Sequence, residues 1–350
     1  MIKILISALI FLYCHSNGQV SRYDQVLENY HTKNNFNGVV LVATNGQVDY
    51  LKAIGISNRK SGSTLNTTSK FKIASITKAF TAVLILQLYQ QGKIDLKTPF
   101  KNYFPAYKGE AKNKVTIEHL LTYSSGIPNE AEKLEMRSYQ LPLSIDEYID
   151  KYCSGNLETI PGTKSNYGNT EYIILHKIIE NVTKKSFQIV LHENILGPLN
   201  MTNTNMLSSK ENIMGLPGSY TYDDSLKSFS PDEPYLIENY FGAGAMYSTA
   251  EDLLKFDYGI FNYQLLNRAN TALMITPNKQ LNDVAFGVWY AGGYGIFSKP
   301  FIYRTGGILG SSANWIHTIE DKKSIIVFSN TNATNLYELS EQLYLAGTGK

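Results

Sequence analysis

Cysteine is nearly absent: the 350-residue chain has two, Cys14 and Cys153. So few thiols exclude a cysteine-built zinc or iron–sulfur centre. The six histidines include no His-x-x-x-His pair and no glutamate-flanked helical pair, so histidine zinc chemistry has no support either. His119, His176 and His192 fall in apolar-periodic stretches and are read as structural residues. An excess of either charge is also missing. Thirty-two Lys and Arg against 30 Asp and Glu leave a net +2, without basic runs interleaved with aromatics, so no nucleic-acid partner is expected. No glycine-rich phosphate loop follows a strand, and no cofactor is expected. The longest apolar run, "ILISALIFLY" at 4–13, is far short of the ~20 residues a membrane-spanning helix needs.

That run fits an export signal. Lys3 supplies the positive start, and Ser16-Asn17-Gly18 puts small residues at the −3 and −1 positions, which predicts a leader of residues 1–18 cut before Gln19. The mature protein is then expected to be periplasmic or extracellular. Cys14 offers a lipoprotein alternative, although Phe11-Leu12-Tyr13 is a poor context for lipidation. Cleavage leaves Cys153 alone, so no intrachain disulfide is expected and stability must come from packing. With 43% hydrophobic residues the chain is long enough for a large core and for one to three domains.

Residues 36–54, "FNGVVLVATNGQVDYLKAI", read as a β-hairpin whose Asn45-Gly46 favours a type I′ turn. Strand-like segments return at 284–293, 300–306, 313–319 and 323–330, with Asp321 turning the last pair. The chain closes on 335–346, where Leu336, Leu339, Leu343 and Leu345 recur at helical spacing. Between these ends the apolar residues mostly repeat every three or four positions, as at 79–92, 116–126, 171–185 and 249–261, punctuated by Gly92, Gly126, Pro128 and Pro161. The expected fold is α/β, of the α+β kind. One antiparallel sheet is built from both termini and flanked by helices, with a mainly helical domain inserted. The boundaries read as 19–75 plus 283–350 for the sheet domain and 76–282 for the helical one.

Three Ser-x-x-Lys sequences stand close together: Ser57 to Lys60, Ser69 to Lys72 and Ser75 to Lys78. The first two lie in polar, loop-like sequence and read as solvated surface. Ser75 opens the long apolar-periodic helix. Residues three apart share a helix face, which brings the Lys78 amine within reach of the Ser75 hydroxyl. A hydroxyl in the first turn also sits in the positive field of the helix N-terminus, suited to developing negative charge. An acyl-transfer serine needs a base, and Lys78 serves only if burial or neighbouring cations neutralise it. Tyr167-Gly168-Asn169, the only Tyr-x-Asn in the chain, follows a Pro/Gly/Ser/Asn loop and precedes a helix, a good platform for functional side chains. Arg304-Thr305-Gly306-Gly307 ends a predicted strand. Its small residues admit a substrate backbone, and Arg304 offers a fixed positive charge to a carboxylate.

Taken together, Ser75-x-x-Lys78, Tyr167-x-Asn169 and Arg304-Thr305-Gly306 resemble the motifs of the serine β-lactamase and penicillin-binding-protein family. The match is to the branch holding class C β-lactamases, D-Ala-D-Ala carboxypeptidases and esterases. The stretches "EHLLTYSSGIP" at 118–128, "PGTKSNYGNTEYIIL" at 161–175, "ILGPLNMTNT" at 195–204 and "GAGAMYSTAEDLLKF" at 242–256 are similar to further family segments. The resemblance covers about residues 35 to 345. It implies the β-lactamase/transpeptidase-like fold and a secreted serine hydrolase working through an acyl-enzyme on a β-lactam, a D-Ala-D-Ala-type peptide or a small ester. Ser75 would be the nucleophile, with Lys78 and Tyr167 sharing its proton. Ser75 and Gly307 would form the oxyanion hole through their backbone N–H groups. Asn169, Arg304, Thr305 and Gly306 would contact substrate, a small molecule or peptide that carries a carboxylate if Arg304 receives one.

Two departures stand out: Arg304 occupies a position where Lys or His is usual, and Asn200 one where Gly is common. Arginine stays protonated and cannot relay a proton, but it can lower the pKa values of Tyr167 and Lys78. The alternative is a non-catalytic cell-wall or peptide-binding receptor that retains the fold.

Overall fold

The structure, a computed structural model, describes residues 21–293 and 295–348. The expected leader, Cys14 and the cleavage point before Gln19 lie outside the described residues.

Helix α1, Arg22–Asn34, was not among the expected elements, although Tyr23, Val26, Leu27 and Tyr30 recur at helical spacing. Leu27 and Tyr30 are its buried residues, and local signals fix its ends. The Ser21 side chain accepts from the Asp24 N–H, and Asn35 terminates the helix in the left-handed conformation. Strands β1 (Gly38–Thr44) and β2 (Gln47–Ile54) follow as the expected hairpin. Asn45 and Gly46 have φ of 51° and 80°, both positive, as a type I′ turn demands.

Helix α2, Thr77–Gln90, starts two residues after Ser75 rather than on it. It is buried on nearly every side, from Thr77 through Leu86, so it runs through the core instead of along its surface. Helices α3 (Thr170–Thr183) and α4 (Ala250–Phe261) pack around it. The second half of the chain gives β3 (Trp289–Ala291), β4 (Phe301–Ile308), β5 (Ser311–Thr318) and β6 (Lys323–Ser329), then helix α5 (Leu336–Ala346). Of the expected strand at 284–293 only the three residues of β3 form one. Gly287 interrupts the run at φ 77°, pressed against the backbone of α2, where an added Cβ would lie 2.9 Å from the Lys78 carbonyl oxygen.

The main sheet is antiparallel with order β3-β4-β5-β6-β1-β2. The first strand therefore pairs with the last, Gly38 opposite Ser329 through to Thr44 opposite Lys323. Strand β1 is buried on both faces. Val40, Val42, Ile325 and Val327 pack against Leu27, Leu339 and Leu343 of α1 and α5. Val39, Leu41, Ile326, Phe328 and Trp315 belong to the larger core shared with the helices of the middle region. One buried carboxylate joins the two layers. Asp257 of α4 accepts from the Trp315 indole (2.7 Å) and the Ser324 hydroxyl (2.5 Å), with His317 Nδ1 3.0 Å from both its oxygens.

The middle region is not purely helical. Phe71–Lys72, Met246–Ser248 and Asn205–Met206 form a small three-stranded sheet, and Tyr220–Asp223 pairs with Ser228–Pro231. Strands this short are invisible to an alternation rule. Asn200 has φ 51°, which accounts for glycine being common there and shows asparagine meeting the same need.

Candidate active site

The small sheet fixes the Ser75 turn. Phe71 and Lys72 pair with Ser248 and Tyr247, and the Ile73 N–H continues the ladder to the Met246 carbonyl at 3.0 Å. The chain then tightens into a 3₁₀ turn, Ala74–Ile76, before α2. Ala74 has φ 43°, a left-handed conformation that alanine pays for in strain and that turns Ser75 out of the core. Ser75 is half-buried while Ile73, Ala74 and Ile76 are buried.

Lys78 lies one turn on and is 0% exposed. Its Nζ donates to Ser75 Oγ at 3.0 Å, Asn169 Oδ1 at 2.7 Å and the Ala243 carbonyl at 2.8 Å. Three acceptors match the three hydrogens of an ammonium. The Ala243 carbonyl belongs to the short helix Phe241–Gly244, reached through Phe241 at φ 43°, and the Thr81 hydroxyl donates to the Gly242 carbonyl at 2.7 Å. This backbone acceptor escaped the sequence reading because a carbonyl oxygen has no residue-type signature.

Tyr167 stands in the loop before α3, where the Asn166 N–H donates to the Tyr123 carbonyl at 2.8 Å. Gly168 is required beside it: a Cβ there would lie 2.1 Å from Asn129 Oδ1. The Tyr167 ring meets the buried Tyr123 edge-on, centroids 5.0 Å apart. Its hydroxyl donates to Ser75 Oγ at 2.7 Å and accepts from Arg304 Nη2 at 3.0 Å. Burial acts to raise the Tyr167 pKa, but the Arg304 guanidinium and the Lys78 ammonium outweigh it and bring it down to about 8.

Arg304 lies inside β4 rather than at its end, and it is 1% exposed. Besides Tyr167 it serves the Ser75 carbonyl, to which Nε donates at 2.9 Å. Burial acts to lower its pKa, yet the surrounding phenols of Tyr123, Tyr167 and Tyr172 raise it, so its charge is secure. Arg304, expected to offer a cation to a substrate carboxylate, borders the cleft, but Nε and Nη2 are turned inward onto the reacting residues and the buried Nη1 has no hydrogen-bond partner. Thr305 and Gly307 are exposed toward the cleft, whereas Gly306 is buried behind it. A Cβ on Gly306 would lie 2.3 Å from the Ile73 carbonyl oxygen and 3.2 Å from the Ser75 nitrogen, so glycine lets β4 approach the Ser75 turn. Strand β3 pairs with Phe301, Ile302 and Tyr303 only, so beyond Tyr303 that edge of β4 has no strand neighbour among the described residues.

These groups border a cleft of about 460 Å³, walled by Tyr167, Tyr240, Trp289 and Ile308. Six of the residues singled out from sequence line it: Ser75, Tyr167, Asn169, Arg304, Thr305 and Gly307. Lys78 lies beneath, bonded to two of them. Tyr240, Trp289 and the buried Tyr123 were missed, as three among many aromatics with no motif to mark them. The other two Ser-x-x-Lys serines have local duties. Ser69 is not solvated surface but 6% exposed, its Oγ accepting from the Asn66 N–H, and the Ser57 carbonyl accepts from the Gly218 N–H. Of the three histidines read as structural, His176 is buried, His119 closes a capping box with Thr116, and His192 is on the surface.

A family model described as Beta-lactamase matches residues 23–349. The chain belongs to the beta-lactamase family. Penicillin-binding protein 4* of Bacillus subtilis is 27% identical over 325 residues, covering 87% of this chain and 70% of that protein. The teichoic acid D-alanine hydrolase of Staphylococcus aureus is 25% identical over 324 residues, covering 91% and 76%. The octameric penicillin-binding protein homologue from Pyrococcus abyssi superposes with a TM-score of 0.80 at 22% identity, over 94% of this chain and 77% of that one. This member of the family is a serine hydrolase, of a group acting on amides and esters, and has the family's mixed fold. No helix among the described residues is long and apolar enough to cross a membrane.

Proposed function

We propose that the protein cleaves an ester or amide through a covalent acyl-enzyme on Ser75, with Tyr167 as the group that takes and returns the proton. The observation that carries this is the pair of contacts on one oxygen: Tyr167 at 2.7 Å and Lys78 at 3.0 Å from Ser75 Oγ. The three hydrogens of the Lys78 ammonium are all engaged, so it is a poor acceptor. A Tyr167 pKa of about 8 leaves about a tenth of the phenol ionised at pH 7. In that form the 2.7 Å contact reverses, and the Ser75 hydroxyl donates to the phenolate. As Oγ bonds to the substrate carbonyl carbon, its proton passes to the Tyr167 oxygen. The backbone N–H groups of Ser75 and Gly307 receive the oxyanion. Collapse breaks the bond to the leaving oxygen or nitrogen, which takes the proton from Tyr167. Water then repeats the sequence on the acyl-enzyme, and Ser75 is released. Lys78 holds the phenolate by its charge.

The name of one relative, the teichoic acid D-alanine hydrolase, suggests D-alanyl esters and amides as the first substrates to try. The test is a serine-directed fluorophosphonate with adduct mapping, run beside hydrolysis of a D-alanyl ester. Ser75 alone is expected to carry the adduct, and Ser75→Ala to lose both labelling and turnover. Labelling elsewhere would sink the proposal. We also propose export through residues 1–18. N-terminal sequencing of secreted material is expected to begin at Gln19, and a lipid-bearing product beginning at Cys14 would replace that reading with the lipoprotein one.

A further inference from the structure

The cleft holds little that could receive a charged substrate. Among the residues lining it Arg304 is the one charged side chain. Its Nε is committed to the Ser75 carbonyl and its Nη2 to Tyr167, and Nη1 is sealed from solvent. Lys78 lies deeper still, with its amine shared among Ser75, Asn169 and Ala243. Both cations are buried, at 1% and 0% exposure, and Nη1, although without a hydrogen-bond partner, is closed off with them, so a carboxylate entering the cleft meets neither charge directly. What it meets instead is the Thr305 hydroxyl, backbone, and the apolar surfaces of Tyr240, Trp289 and Ile308. Losing water without gaining an ion pair is unfavourable for a carboxylate and harmless for a neutral group. The phenolate needed at Tyr167 weakens the pull the two buried cations exert from below, because it cancels one of their two positive charges.

Resting on the reading of Ser75 as nucleophile, we infer that this cleft selects esters and amides whose leaving group is uncharged, and that it discriminates against substrates with a carboxylate beside the scissile bond. Penicillin-type lactams and peptides ending in a free D-alanine carry such a carboxylate. They fall on the disfavoured side, and neutral D-alanyl esters on the favoured side.

A matched pair of substrates tests this: phenyl N-acetyl-D-alaninate and its 3-carboxyphenyl counterpart, which share an acyl group and release phenols of nearly equal acidity. With the full-length protein, kcat/KM for the neutral ester is expected to exceed that of the carboxylate ester by at least about tenfold, mainly through KM. Added salt should leave the KM of the carboxylate ester nearly unchanged, since the cleft presents no exposed cation for ions to screen. Thr305→Arg, which puts a free cation on the cleft wall, is expected to narrow the gap by lowering that KM. Equal or better turnover of the carboxylate ester, with a KM that rises with salt, overturns the inference while leaving Ser75 hydrolysis intact. Should neither ester be turned over faster by wild type than by Ser75→Ala, the hydrolase reading itself fails and the selection falls with it.

Discussion

Arg304 and Tyr167 are joined by a hydrogen bond of 3.0 Å from Nη2 to the phenol oxygen, while the same guanidinium holds the Ser75 carbonyl at 2.9 Å through Nε. One cation thus fixes the serine turn and stabilises the ionised phenol, two tasks that a planar, multi-donor side chain can combine.

This relationship sets a pH dependence. A base must be deprotonated to act, so kcat/KM is expected to rise with pH through the Tyr167 pKa of about 8 and level off above it. In Arg304→Met the largest influence lowering that pKa is gone, and the rising limb should move toward the ordinary tyrosine value of ~10. At pH 7 the variant is expected to lose about 100-fold in kcat/KM and to recover much of it near pH 10. A pH–rate profile that does not move would remove Tyr167 from the proton transfer.

Lys78→Met keeps the length of the side chain and deletes the ammonium that touches Ser75, Asn169 and Ala243. Acylation of Ser75 by the fluorophosphonate is expected to slow by about 100-fold or more. Timed labelling, with circular dichroism to check the fold, reads the effect.

The adjacent glycines of β4 should behave oppositely. In Gly306→Ala the new methyl meets the Ile73 carbonyl oxygen at 2.3 Å, so either the strand or the Ser75 turn must move. A loss of about 1–3 kcal/mol in denaturant unfolding is expected, together with slower labelling. A Cβ on Gly307 meets nothing within 4 Å. Gly307→Ala is expected to leave stability within about 0.5 kcal/mol while raising KM, since the methyl projects into substrate space.

Much of this architecture could be read from residue order alone, for physical reasons. The Asn45-Gly46 turn declares itself because few residues tolerate two successive positive φ values. The continuous apolar runs of β1 and β6 mark strands buried on both faces. Ser75, Lys78, Tyr167 and Asn169 were legible as spaced motifs, and they meet around one oxygen or one amine. The inward turn of Arg304 was not legible. Residue type gives a charge but not its direction, and only the fold puts the Ser75 carbonyl and the Tyr167 phenol within reach of its donors. The 3₁₀ turn at Ala74–Ile76 was equally hidden, because its strain at Ala74 is imposed by the small sheet on one side and α2 on the other. Helix α1 was legible as well and was missed: Tyr23, Val26, Leu27 and Tyr30 recur at i, i+3, i+4 and i+7 and pack into one cluster.

Asp257 offers a test of the scaffold apart from the chemistry. Asp257→Ala leaves the Trp315 indole N–H, the Ser324 hydroxyl and His317 Nδ1 without their shared carboxylate. A cost of about 3 kcal/mol or more is expected in equilibrium denaturation. Asp257 lines no part of the cleft, so kcat measured well below the melting transition should stay within about twofold of wild type.

Strand β1 lies between β2, made immediately after it, and β6, made only after the whole middle region, with Gly38 facing Ser329. A nascent chain therefore holds Val39 to Val42 with one flank bare until residues 323–329 have left the ribosome. Fragments ending before Lys323 cannot complete this sheet, and chaperones would meet an open polypeptide rather than a finished fold. Because β6 closes on β1, the polypeptide cannot lock its reactive cleft in place until that strand has been made.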